Sequence, residues 1–190
     1  MFRRPVWRTA VGMMAVALSV AGVQTASAGV ASADATVAVR TVYYDASRAG
    51  QYTTNFTQAA QIWNSRVSNV RLQAGSPASV IIYVDNGWPR AYVTGLGSGR
   101  VYMGLEAVNQ GYDRTRIATH ELGHILGLPD NRTGLCSDLM SGSSAPVSCR
   151  NANPSAAEAA RVNSLFAGSL AAPGTSDASA GVKTYVWSNG

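Results

Sequence analysis

The spacing of apolar positions predicts an α+β domain. Residues 36–44 set Val37, Val39, Val42 and Tyr43 among threonine and arginine and stop at Asp45, the pattern of a strand. Phe56, Ala59, Ala60, Trp63 and Val67 then recur at steps of three and four, so 54–67 reads as an amphipathic helix laid on a sheet, with Trp63 in the core. Residues 70–73 form a short strand, and 79–84 a longer one, apolar enough to lie inside the sheet. The order strand, helix, strand, strand implies a mixed sheet. Gly95, Gly97 and Gly99 separate Tyr92-Val93 from 100–103. Without the lysine of a phosphate loop, that run is the turn of a hairpin. Asp113 stands where a helix would begin, as an N-cap, and Asn153-Pro154-Ser155-Ala156-Ala157-Glu158 carries two overlapping start signals for a C-terminal helix.

The ends of the chain differ in composition from its middle. Arg3, Arg4 and Arg8 precede an apolar run over 11–23, and Ala26-Ser27-Ala28 supplies small residues for cleavage, so 1–28 reads as a secretory signal peptide. The second small-residue run at 31–35 makes 29–35 a candidate short pro-segment. The folded domain occupies 36–168. Residues 169–180 are mostly Ala, Gly, Pro, Ser and Thr, so 169–190 reads as a flexible linker and tail, although 182–187 is strand-like and either docks on the sheet or is an unstructured end. No later stretch is long and apolar enough to span a membrane, which together with the signal peptide predicts a secreted, extracellular, soluble protein, expected to act as a monomer. The three leader arginines supply three of the +5 formal charge, and the rest of the chain has no basic cluster, so nothing points to nucleic acid or an anionic membrane as partner. Cys136 and Cys149 are the only cysteines. In a secreted chain they read as one disulfide, the rival being a pair of metal-binding thiolates.

The candidate chemistry sits in one stretch. His120 and His124, the only histidines, are four apart and so share one face of a helix, with Glu121 beside them. Two imidazoles can take one metal ion. Gly127 can end the helix in a left-handed conformation, and Pro129 cannot continue it, so the chain can turn back and bring Asp130 to the same ion. Three ligands leave a fourth position open, which separates catalytic zinc from structural zinc, and Glu121 is then the base beside it.

The run His120-Glu121-x-x-His124-x-x-Gly127-x-x-Asp130, followed by Cys136-Ser137-Asp138-Leu139-Met140-Ser141-Gly142, resembles the metzincin zinc endopeptidases. Asp130 as third ligand, with Asp-Leu-Met-Ser-Gly at 138–142, is similar to the snapalysin family of small neutral metalloproteases secreted by Streptomyces. The resemblance implies a single metzincin-like domain: a twisted mixed sheet, a backing helix, an active-site helix, a Met-turn at Met140 below the metal, and a C-terminal helix. It implies catalytic zinc on His120, His124 and Asp130, with Glu121 as base. It also implies calcium near Asp113 and Thr115, where a plain helix cap is the competing explanation, and cleavage before a Tyr or Phe held against 140–142. The strand before the active-site helix, 99–103, would be the sheet edge along which substrate lies. One departure stands out. The aromatic hydroxyl of related sites is missing after Asp130 and after Met140, and Arg132 is the candidate for oxyanion support.

The sequence thus predicts a zinc endopeptidase acting on extracellular proteins and peptides. Two alternatives share its features: a secreted binding module with a zinc-containing helix, and a zinc amidase acting on cell-wall peptides.

Overall fold

The computed structural model describes residues 38–168 and 181–187. The expected signal peptide, pro-segment and linker lie outside these residues.

Six strands form one mixed sheet in the order β2-β1-β3-β5-β4-β6. β1 (Arg40–Arg48), β2 (Val70–Ala74), β3 (Val80–Asp85) and β5 (Ser98–Gly104) run parallel. β4 (Arg90–Gly95) returns antiparallel on β5, and β6 (Lys183–Val186) antiparallel on β4. β1 continues past Asp45, where the sequence pattern ended, because its far end still pairs with β3 through an irregularity at Asp45/Arg48.

α1 (Thr53–Arg66) packs on the sheet through Phe56, Ala59, Ala60 and Trp63, the face its spacing predicts. A short α2 (Leu105–Asn109) follows β5 and leads into α3 (Arg114–Ile125), while α4 (Ala156–Gly168) buries Ala159, Val162 and Phe166. None of these helices is long and apolar enough to cross a membrane. The arrangement is the single α+β domain that the resemblance implies.

The outermost strand of the 90–104 hairpin corrects an expectation. β5 is not the edge, because β3 pairs along one side of it and β4 along the other. The hairpin turn at Leu96-Gly97 carries β4 to the outside, so the edge available to a peptide is β4. In this chain β6 occupies that edge, from Arg90↔Val186 to Val93↔Lys183. Of the two expectations for the tail, the docked strand is the one found.

Candidate metal centre

α3 begins at Asp113, whose carboxylate accepts from Arg116 N–H at 2.8 Å, a local N-cap. Every residue from Arg116 to Ile125 is buried. The helix ends in a paired arrangement: Gly127 N–H donates to His124 O at 2.9 Å and Leu128 N–H to Gly123 O at 3.0 Å. Gly127 has φ +93°, and a β-carbon there would lie 2.8 Å from Leu165 and 2.9 Å from Leu96, so glycine is required twice over.

That reversal builds half of the site. It sets the Leu128 carbonyl against His124 Nδ1 at 2.8 Å, and two residues later Asp130 Oδ1 lies 3.6 Å from His124 Nε2 and 3.2 Å from His120 Nε2. His120 Nδ1 meets Leu139 O at 3.0 Å. A carbonyl only accepts, so both Nδ1 atoms carry the proton and both Nε2 atoms are bare. The Nε2 atoms are 3.0 Å apart. Ligand atoms at zinc distances around a tetrahedral centre lie about 3.3 Å from one another, which these three separations bracket. Burial, then the neighbouring His120, push the His124 pKa down to about 3, so the ring stays neutral and able to ligate. Asp130 Oδ1 is buried without a hydrogen-bond partner. Among the described residues His120, His124 and Asp130 form the one such group that could hold a metal, and the donor set fits the ion the sequence implies.

Glu121 is fully buried, and neither of its carboxylate oxygens has a hydrogen-bond partner. Burial first, and the Asp130 charge second, raise its pKa well above the ordinary carboxylate range. An ionisable group left unpaired in this way costs stability and marks a place where a ligand belongs.

The floor is Met140 in the 3-10 segment Leu139–Ser144. Its sulfur packs where Gly123 comes closest: a β-carbon on Gly123 would stand 2.7 Å from Met140 Sδ. Met140 is thus a packing residue under the helix. Cys136 and Cys149 are joined, with Cα atoms 5.6 Å apart, which removes the thiolate alternative. Arg132 donates to Ser143 Oγ at 3.1 Å, to Asp130 Oδ2 at 3.4 Å and to Val186 O at 2.9 Å. Thr115 turns its hydroxyl to α1, bonding Asn55 Nδ2 at 3.0 Å and Gln58 Oε1 at 3.1 Å.

Two positioning residues were not read from the sequence as parts of the site. Arg116 is 1% exposed, and its guanidinium donates to the carbonyls of Cys136 at 3.1 Å, Asp138 at 2.7 Å, Leu139 at 3.5 Å and Asn151. It lies four residues before His120, on the ligand face of α3, and that spacing was the available signal. Glu158 closes the expected capping box with Ser155 and also accepts from Leu139 N–H at 3.2 Å and Met140 N–H at 2.7 Å. One carboxylate starts α4 and holds the backbone at Leu139 and Met140.

A family model described as the Streptomyces extracellular neutral proteinase (M7) family matches residues 38–169. An extracellular small neutral protease of Streptomyces caespitosus is 48% identical over 128 residues, covering 67% of this chain and 97% of that protein. The protein of the same description from Streptomyces sp. strain C5 is 50% identical over 134 residues, 70% of this chain and 58% of its own length. One from Streptomyces coelicolor is 48% identical over 133 residues, 69% of this chain and 61% of its own. The chain therefore spans about three fifths of the last two relatives.

Proposed function

The chain belongs to the Streptomyces extracellular neutral proteinase family, and from that premise we propose that it is a secreted zinc endopeptidase acting on extracellular proteins. The observation that carries the reading is Glu121: a fully buried carboxylate, unbonded at both oxygens, one residue from His120. A structural metal site has no use for such a group, whereas hydrolysis does.

Zinc held by His120, His124 and Asp130 would supply Lewis acidity toward water and the scissile carbonyl. The Leu139 and Leu128 carbonyls fix the two imidazoles before any ion arrives. Glu121 takes a proton from the attacking water as its oxygen bonds to the carbonyl carbon. The same carboxyl then gives that proton to the amine nitrogen as the C–N bond breaks. Arg132 donates to a strand carbonyl beside Asp130, as its bond to Val186 O illustrates, and in catalysis it assists the developing oxyanion. Preference for Tyr or Phe after the scissile bond, held against 140–142, is supported by Trp187, an aromatic side chain fully buried with its ring 4.5 Å from that of His120 and 5.8 Å from that of Tyr112.

Removing the metal with a chelator is expected to reduce casein hydrolysis by the mature chain to background, and added zinc to restore it. Full activity in a chain shown to be metal-free would reject the proposal. Arg132→Ala is expected to lower kcat by roughly tenfold, much less than loss of the base. Equal losses in the two variants would make Arg132 an equal partner in the chemistry.

The reading includes a calcium ion at Asp113 and Thr115, which border one pocket with Asn55 and Tyr112. With a single carboxylate the affinity is on the order of millimolar, so calcium at ten times that level should raise the unfolding temperature by roughly 3–5 °C with zinc content unchanged. No shift would leave Asp113 as a helix cap alone.

A further inference from the structure

The tail lies directly over the metal ligands. The Tyr185 ring stacks on His124, with centroids 4.2 Å apart and planes 6° apart, and Trp187 meets His120 at 4.5 Å and 74°. Between them the Val186 carbonyl accepts from Arg132. Pairing with β4 continues through Trp187 N–H, which donates to Pro89 O at 2.9 Å. This is how an extended peptide would occupy the cleft: backbone bonds to the sheet edge, one aromatic side chain in a buried position, and a carbonyl turned to a cation beside the ligands.

The contact buries Trp187 fully but carries an internal cost. The Trp187 indole N–H is buried without an acceptor, although its ring packs on that of His120. A buried donor left unmade costs about 1–3 kcal/mol, which favours release. Lys183 and Thr184 are exposed, so only the end of the strand is anchored by burial.

We propose that Lys183–Trp187 is a built-in competitive inhibitor, a pseudosubstrate strand that fills the peptide cleft and is displaced when a substrate enters. The proposal rests on the endopeptidase reading. The segment is joined to α4 by residues 169–182, and a tethered competitor acts at an effective concentration on the order of millimolar, so a sequence that binds weakly as a free peptide still fills the cleft. Competition of this kind raises the apparent KM and leaves kcat alone.

The test compares full-length, zinc-loaded wild type with Tyr185→Ala/Trp187→Ala, metal content quantified, on an internally quenched peptide. The expected result is a KM roughly tenfold lower in the variant at similar kcat. Equal KM and kcat in the two chains would overturn the proposal and leave the protease reading intact. No hydrolysis by either zinc-loaded chain would overturn the protease reading itself. Because removing a fully buried indole costs stability, hydrogen exchange on the wild type supplies a second measurement. Saturation with a peptide hydroxamate should expose the 183–187 amides while β4 stays protected. Unchanged protection of 183–187 with the hydroxamate bound would overturn the proposal.

Discussion

Glu121→Gln is expected to keep its zinc and lose roughly a thousandfold or more in turnover. The amide matches the carboxylate in shape but accepts no proton, so the general-base contribution, typically 10²–10⁴-fold, disappears along with proton delivery to the leaving amine. The ligands are untouched, since Glu121 makes no hydrogen bond to His120, His124 or Asp130. The fold should not suffer either, because glutamine removes the need to hold an ionisable group in a fully buried position. Kinetics on a peptide substrate, with zinc measured in the same preparation, checks both halves. Turnover within tenfold of wild type would remove Glu121 from the mechanism, and loss of zinc would make it a ligand in effect.

Arg116→Ala should be the most damaging substitution outside the ligand set. The guanidinium is buried and serves four carbonyls from three stretches of chain, those of Cys136, Asp138 with Leu139, and Asn151. Removing it strands buried acceptors, at a cost of about 3–5 kcal/mol by analogy with breaking other buried charged contacts. The Leu139 carbonyl that orients His120 belongs to the same loop, so zinc should also dissociate faster. Lysine cannot restore the fork that reaches Cys136 and Asp138 together, and Arg116→Lys should recover little. Urea unfolding and the rate of zinc transfer to a chelating dye measure the two effects. A loss below 1 kcal/mol with unchanged transfer would show that the loop holds itself.

Local chemistry explains what could be read in advance. The 3.6-residue recurrence from Phe56 to Trp63 locates α1, and the histidine spacing with Gly127 and Asp130 brings out the metal site, because both depend on neighbours a few residues apart. The wrong edge strand, the roles of Arg116 and Glu158 and the position of the tail share the opposite property. Each depends on partners distant in sequence: β4 outside β5, Arg116 against Asn151, Tyr185 on His124. Composition at 169–180 suggested a loose end, and only pairing with β4 shows that the apolar Tyr-Val-Trp run beyond it has a surface to occupy.

The last strand also decides how copies of this protein meet one another. An open sheet exposes unpaired backbone groups at both ends and invites edge-to-edge aggregation, which natural chains resist with short, charged terminal strands. β2 meets that requirement at one end, five residues long with Arg71 outward. β4 meets it less well, since its one charged side chain, Arg90, is ion-paired with Asp85, and Ala91, Tyr92, Val93 and Thr94 carry no charge. With β6 in place, the outermost strand is four residues long and bears Lys183, the only lysine in the chain. The segment that closes the cleft is therefore also a gatekeeper against self-association, and a tail-free form would gain an adhesive edge along with its open site.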